Sequence, residues 1–375
     1  MPSAIHELSP YEQVPETKED LDWAELVTLD LGLWDKPGGK QELAKKLEHA
    51  VHHVGFFYVK NFGLSQEEVD HQFALGREFY SLPLSEKLKF HSWAALESGN
   101  YNGYRPAGHR RLVDDIYDNV EVYNIPKFDG FHERKQPKVL QDHIDEIEAF
   151  QRKIHEEVVL KLLRIFAVVL ELPDEEQLVK DHFYNERGED HLRYMFYGHR
   201  TPEENKKVGE LYSPGHTDLG TVTLLFRQPV AALQILNSDN EWKWVKPQDA
   251  TITINICDAL SALTGGYFKS SVHRVHAPPP DQAHIDRLGV LYFARPNNNV
   301  ILSPITNSPV LNRLNLRTND FTNLETPLTT EQWVKLRQTQ QQRKVDVQKI
   351  TPDGKYIYKE KDLEILPGLH AVIHN

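Results

Sequence analysis

Thr251-Ile-Thr-Ile-Asn-Ile256 alternates polar and β-branched apolar residues at every step. That period of two puts Ile252, Ile254 and Ile256 on one face of a strand, and Thr251, Thr253 and Asn255 on the other. Two further runs, Thr221-Val-Thr-Leu-Leu-Phe226 and Gly289-Val-Leu-Tyr-Phe293, share the same short, turn-bounded texture. Residues 192–296 therefore read as a β core. Upstream the pattern changes. Ile144, Ile147, Ile154, Val158, Leu162, Phe166 and Val169 fall on a nearly continuous stripe, which predicts one long helix over residues 142–172. Residues 41–53 have helical character, and Gly55-Phe-Phe-Tyr-Val59 reads as a strand. Ser65 with Glu68 makes a capping box that opens a helix to about residue 81. Residues 92–137 read as loops around a strand at 120–123, and residues 329–343 as a polar, exposed helix capped by Thr329 and Gln332. Helices around an antiparallel β core make the fold class α+β.

Composition narrows the function. The chain has 375 residues with 39% hydrophobic and 26% charged, so it can bury a core and is not wholly disordered. Its length allows two or three small domains or one elaborated domain. A net charge of −12 repels phosphate backbones and anionic lipid, which argues against nucleic-acid and membrane partners. The single cysteine, Cys257, permits no intramolecular disulfide and reads as a small buried residue; it fits a reducing, cytoplasmic setting. Residues 1–20 are polar and acidic, without a signal-peptide core. No run approaches the roughly 20 apolar residues that span a bilayer. The unusual count is 19 histidines.

Three His-x-Asp triplets occur, at His143/Asp145, His216/Asp218 and His284/Asp286. On a helix, positions two apart point about 200° away from each other, so the first pair cannot share an ion. The third lies in a polar loop after three prolines. The second leads straight into an apolar strand, and residues two apart on extended chain project to the same side. A redox iron takes three protein ligands on one octahedral face and leaves the other open. The third should be a histidine on another strand, and His273, within Ser271-Val-His-Arg-Val275, fits. Arg287, opening the last strand, can pair bidentately with a dicarboxylate. The alternatives are a hydrogen-bonded polar core cluster for the three ligands and a surface ion pair, with Asp286, for Arg287.

The stretch from His216 to Pro296 resembles the isopenicillin N synthase-like branch of the iron(II)/2-oxoglutarate-dependent dioxygenases. The likeness is carried by His216-Thr-Asp218, Leu233-Gln-Ile235, Trp242-Lys-Trp-Val-Lys-Pro247, Asn255-Ile-Cys-Asp258, His273-Arg-Val275 and Arg287 with Phe293 and Pro296. Gly55-Phe-Phe-Tyr-Val-Lys-Asn61 and Phe79-Tyr-Ser-Leu-Pro-Leu-Ser-Glu-Lys87 resemble that family's N-terminal region. The resemblance implies a double-stranded β-helix (jelly roll) over roughly residues 190–300, with N-terminal strands extending its sheets and the long helix buttressing the larger one. Residues 1–190 would be the N-terminal helical and loop region, 191–300 the catalytic core and 301–375 a tail covering the site, all in one integrated domain.

It further implies Fe(II) held by His216, Asp218 and His273, with 2-oxoglutarate and O2 as cosubstrates. Arg287 would clamp the distal carboxylate of 2-oxoglutarate, and Tyr197 would approach it. Two positions depart from the pattern: Met195 stands where the family has Asn, and Gly289 where Arg-x-Ser would place a serine. The implied reaction oxidises an unactivated C–H bond of a small organic metabolite, by hydroxylation, desaturation, cyclisation or rearrangement, releasing succinate and CO2. Such enzymes are common in secondary metabolism. The alternatives are a same-fold iron oxidase that dispenses with 2-oxoglutarate and a non-catalytic metal-binding jelly roll. The loop residues Tyr101, Tyr104, Arg105, His109, Arg110 and Arg111 suggest an aromatic or acidic substrate; a solvated basic loop is the plainer reading. Phe226 and Phe293 are candidates to line the pocket, with core packing as the alternative. Asn255 and Asp258 read as turn-holding residues. His49 and His53 share a helical face turned to solvent.

Overall fold

Strand parity decides what each face of this molecule meets. The computed structural model describes residues 8–92, 100, 102–108, 111–132, 135–316, 326–342, 347–350, 356–358, 364–366 and 369–370. Before the β core come β1 (Thr28–Asp30), β2 (Phe56–Lys60), β3 (Gly103–Arg105), a small hairpin of β4 (Arg111–Val113) and β5 (Ile116–Tyr117), and β6 (Val120–Pro126). The core itself is β7 (His191–Tyr197), β8 (Leu211–His216), β9 (Val222–Phe226), β10 (Leu233–Leu236), β11 (Trp242–Trp244), β12 (Thr251–Ile256), β13 (His273–His276) and β14 (Arg287–Ala294).

These form an eight-stranded sheet, β1-β2-β12-β9-β14-β7-β6-β3, facing a four-stranded sheet, β11-β10-β13-β8. From β7 to β14 the chain passes repeatedly between the two sheets, and every pairing within that span is antiparallel. This is the double-stranded β-helix, over the expected residues. β2 and β6 extend the large sheet at its two sides, by antiparallel pairing with β12 and β7.

The large sheet turns Leu192, Tyr194, Leu224, Phe226, Ile252, Ile254, Val290 and Tyr292 outward into one apolar cluster with Ile147, Ile154, Leu162 and Phe166. The helices therefore buttress the large sheet, as expected. The long helix is not uniform, however. It runs as Ile144–Ile154, a single wide π-type turn at His155–Val159, and Leu160–Val169. An extra residue in a turn rotates the rest of the helix and is a local device rather than a helix end. Here it lets fully buried His155 lie 3.1 Å from the Tyr292 hydroxyl and 2.6 Å from the His182 carbonyl.

The helix Thr330–Gln342 departs from the expected exposed, polar character. Thr329 and Gln332 do cap it reciprocally. Yet Trp333 and Val334 are buried against Ala259, Ala262, Leu263 and Leu302. Two apolar side chains on one turn were enough to dock an otherwise hydrophilic helix. Among the described residues no helix is long and apolar enough to cross a membrane.

Candidate active site

The inward faces of the sheets build the site in rows. Across the large sheet, Asn255, Thr223, Phe293 and His191 stand side by side at one end. The next inward row holds Thr253, Leu225, Leu291, Arg193 and Asn124. Then come Gly289, Met195, Val122 and Arg105, and finally Arg287, Tyr197 and Val120.

At the first end, His216 closes β8 and pairs directly with His273, which opens β13. The rings lie 4.4 Å apart, and Asp218 follows two residues beyond His216. His216 Nε2 is 3.8 Å from Asp218 Oδ1, and His273 Nε2 is 3.8 Å from Asp218 Oδ2. Both imidazoles present Nε2 to the same point because Nδ1 is engaged elsewhere. Nδ1 of His216 lies 3.0 Å from the Pro214 carbonyl, and Nδ1 of His273 lies 3.2 Å from the Ser271 carbonyl. A ring N–H spent on a carbonyl fixes the tautomer and leaves the other nitrogen as a lone pair for a metal. Asp218 Oδ2 accepts from the Thr223 hydroxyl at 2.8 Å and from the Asn255 amide at 2.9 Å. Burial pushes the Asp218 carboxyl up, but His273, His216 and these two donors bring it below its ordinary value. Burial, with His216 beside it, drops His273 to about 4. Two imidazoles, each with Nε2 turned to one point, and a carboxylate form a donor set that fits Fe(II) with open positions.

Asn255 was expected to hold a turn; it instead donates to the Asp218 carboxylate. Asp258 also has a larger part than expected. Its buried carboxylate accepts from Thr217 Oγ1 at 3.0 Å and Ser270 Oγ at 2.6 Å, and pairs with Arg337 Nη1 at 3.0 Å. Its backbone N–H donates to the Asp218 carbonyl at 2.9 Å. Trp333 Nε1 donates to the Leu219 carbonyl at 3.1 Å. Thr217, Asp218 and Leu219 are thus each tied down, two of the ties depending on the helix Thr330–Gln342.

At the other end of the rows lies Arg287. It is 4% exposed, its guanidinium carbon 5.5 Å from the Tyr197 ring centre, within a cavity bordered by Leu225, Ala232, Leu233, Val245 and Thr253. Its Nε is buried without a hydrogen-bond partner, and among the described residues no carboxylate pairs with it. Burial lowers its pKa. An enclosed, unpaired guanidinium costs several kcal/mol, so the cradle fits an anionic ligand.

The remaining candidates divide by parity. Phe293 faces the interior, stacked on His191 at 4.7 Å. Phe226 borders the Arg287 cavity, but its ring packs outward on Phe150 and Phe62, because 226 shares its face with Val222 and Leu224. Tyr104 likewise faces out, packing on Phe79 and donating its hydroxyl to Glu121, whereas its neighbour Arg105 faces in. Arg105 Nε is buried with no hydrogen-bond partner among the described residues. Tyr101, His109 and Arg110 lie outside the described residues, as does the Arg111 side chain. Arg193 is not among the candidates the sequence pointed to. It projects inward, donates to Asn124 Oδ1 at 2.7 Å and lies 4.3 Å from the Phe293 ring centre. The available signal was its parity with Met195 and Tyr197. Cys257 is buried, and burial raises its thiol well above the ordinary range, consistent with a packing role.

Two histidines and one aspartate brought to one point inside a jelly roll, with a buried arginine further along the same inward rows, make a group that could hold a metal ion. Comparison with known proteins carries this to a family. Residues 26–143 match the non-haem dioxygenase N-terminal family, described from morphine synthesis, and residues 189–296 match the 2OG-Fe(II) oxygenase superfamily. The UPF0676 protein of Schizosaccharomyces pombe is 30% identical over 272 residues, covering 70% of this chain and 80% of that protein. A 2-oxoglutarate-Fe(II) type oxidoreductase of Metarhizium rileyi is 26% identical over 289 residues, 72% of this chain and 80% of its own. A full-length Neurospora crassa protein, crystallised in complex with alpha-KG, superposes with a TM-score of 0.72 at 23% identity, covering 86% of this chain and 99% of that one. The chain belongs to the 2OG-Fe(II) oxygenase superfamily, in which the isopenicillin N synthase-like branch is included. It is a 2-oxoglutarate-dependent dioxygenase, working with iron(II), 2-oxoglutarate and O2 on small molecules.

Proposed function

We propose that His216, Asp218 and His273 hold the iron, that Arg287 and Tyr197 hold 2-oxoglutarate, and that the substrate is a small metabolite with an acidic group. The observation that carries the cosubstrate assignment is the buried, unpaired Arg287 guanidinium in line with the three ligands. It also favours this reading over a same-fold oxidase that needs no dicarboxylate. Thr253 borders the Arg287 cavity and is placed to offer the hydroxyl that Gly289 lacks.

When bound, iron supplies the oxidising chemistry, coupling decarboxylation of 2-oxoglutarate to attack on an unactivated C–H bond. The chain's own residues do the rest. Thr223 and Asn255 hold one oxygen of Asp218, so the carboxylate presents the other in a fixed direction. Arg287 sets the distance at which the dicarboxylate lies. His216 is the most open of the three ligands, with 38% of its side chain exposed, which supports a substrate entrance on its side. Arg105 and Arg193, one and two rows from Arg287, face inward and, like Arg287, lie near enough to Tyr197 to oppose the rise that burial gives its hydroxyl pKa, with the Phe293 ring against Arg193. Two inward guanidiniums select an anionic substrate, and the Phe293 and His191 rings favour a planar one. Residues 1–190, 191–300 and 301–375 work as one integrated unit in this reading, and the lone buried cysteine suits the cytoplasm.

A screen of small carboxylic acids for substrate-dependent succinate release, followed by product mass, tests this. Acids should dominate among the hits, and Arg105→Met should raise KM for them more than tenfold with little change in kcat. A substrate set of neutral compounds, indifferent to Arg105→Met, would remove the substrate assignment.

A further inference from the structure

His143 belongs to a triplet that helical spacing rules out as a metal pair with Asp145, yet the fold gives it different company. It is the N-cap residue of the helix Ile144–Ile154, and Glu146 lies three positions on, on the same side of that helix. His71, from the helix Gln66–Ser81, meets both. His71 Nε2 is 2.5 Å from Glu146 Oε2, and His143 Nδ1 is 3.3 Å from Glu146 Oε1. The two imidazole rings are 5.5 Å apart at 68°. One donor atom from each of the three lies within 4.8 Å of the others. His71 Nε2 is shut off from solvent and, despite the close carboxylate, makes no hydrogen bond of acceptable direction. His143 is buried, while Glu146 keeps 56% of its side chain exposed.

We propose that His71, His143 and Glu146 form a second divalent-cation site, of zinc type, that fastens the helix Gln66–Ser81 to the helix Ile144–Ile154. Two imidazoles and one carboxylate suit zinc; magnesium and calcium take all-oxygen shells. Bonds of about 2.0–2.1 Å in a tetrahedron set donor atoms about 3.3 Å apart. The His143–Glu146 pair already has that spacing. The His71 contact is to the other carboxylate oxygen, Oε2, and must open by about 0.8 Å; a turn of the half-exposed Glu146 carboxylate supplies it and brings one oxygen to both imidazoles. The exposed side leaves the fourth position to water.

The site is separate from the iron. Gln72, the residue after His71, accepts a 2.8 Å hydrogen bond from Tyr194, which is on the outward face of the large sheet. The iron ligands lie inside the barrel. The ion therefore acts on stability and not on the reaction. Because it binds the folded chain and has no preformed site in the unfolded one, its effect follows its concentration.

The test uses the full chain carrying His216→Ala and His273→Ala, so that the iron site does not compete, titrated with zinc chloride by calorimetry. One zinc equivalent with micromolar affinity is expected, together with a rise in melting temperature of several degrees. Adding His71→Gln, which keeps the side-chain volume, should weaken that equivalent at least tenfold and abolish the rise; His143→Asn should do the same. Absence of any zinc equivalent would overturn the proposal. So would an equivalent that persists unchanged in His71→Gln, which would locate it elsewhere, such as the neighbouring rings of His49, His52 and His53.

Discussion

A guanidinium enclosed with no carboxylate beside it among the described residues costs the fold stability, and Arg287 can be tested on both sides of that trade. Arg287→Met keeps the volume and removes the charge. Its melting temperature without cosubstrate should match or exceed that of the parent, since an apolar group replaces an unpaired ion. Its affinity for 2-oxoglutarate, by calorimetry with Mn(II) in place of iron, should fall about a hundredfold, the order of 3 kcal/mol for a charge-assisted pair. Gly289→Ser works in the opposite sense. A Cβ there would meet Leu291 Cδ1 at 3.4 Å and Met195 Cβ at 3.9 Å, ordinary contacts, so a hydroxyl fits. It should tighten 2-oxoglutarate about fivefold, the value of one neutral hydrogen bond. That His216, Asp218 and His273 come together, and that Arg287 faces inward, was legible in the sequence because strand parity and the run of flanking residues point the same way. Parity also separates Arg105 from Tyr104 and Phe293 from Phe226, and would have picked out Arg193. What it lacks is depth: nothing local to Asn255 says that its amide ends on Asp218 rather than on a turn.

The helix Thr330–Gln342 acts at the scale of an element. Its Arg337 neutralises Asp258, whose carboxylate holds Thr217 between the proposed ligands His216 and Asp218, and its Trp333 holds the carbonyl of Leu219. Removing Arg337 leaves Asp258 with an uncompensated charge against Thr217 and the Asp218 backbone, so the ligand loop loses its fixed course. Arg337→Met is expected to weaken Mn(II) binding about tenfold, within the 10–100-fold range for residues behind a metal ligand. Arg337→Lys should recover part of it. An unchanged Mn(II) affinity would mean that the helix only covers the barrel. The sequence showed this helix and its cap but not its role, since Trp333 and Val334 are two apolar residues in a polar run and their partners lie far away in the chain. The π-type turn at His155–Val159 was invisible for a related reason. An apolar stripe of seven residues fits a straight helix and a once-widened one equally well, and only the buried contact of His155 with Tyr292 decides between them.

For the molecule as a whole, β-helix topology brings His216, Asp218 and His273 to one end of the barrel and Arg287 further along the same inward rows, which is how a gap of 55 residues between Asp218 and His273 closes: His216 and His273 lie on paired strands. That topology was legible through the family resemblance more than through any single strand. Packing helices on the outer face also buries imidazoles, and burial lowers their pKa. His182 lies between the Leu178 carbonyl and the Thr221 hydroxyl, and burial lowers it to about 4. Its folded value is below the unfolded value of about 6.5, so the unfolded chain takes up the proton first. Its contribution to stability is complete above pH 6.5 and is lost as pH falls towards 4. At pH 5 that loss is about 2 kcal/mol from His182 alone, and a His182→Gln variant should show a correspondingly smaller drop in its urea midpoint between pH 8 and pH 5. The central claim, that His216, Asp218, His273 and Arg287 together hold iron and 2-oxoglutarate, is tested most directly by anaerobic absorption spectroscopy. Fe(II) and 2-oxoglutarate added to the parent protein should give a visible metal-to-ligand charge-transfer band that saturates at one equivalent of each. The band should vanish in His216→Ala and His273→Ala and need far more 2-oxoglutarate in Arg287→Met; a parent protein without the band, or variants that keep it at the same cosubstrate concentration, would contradict the account.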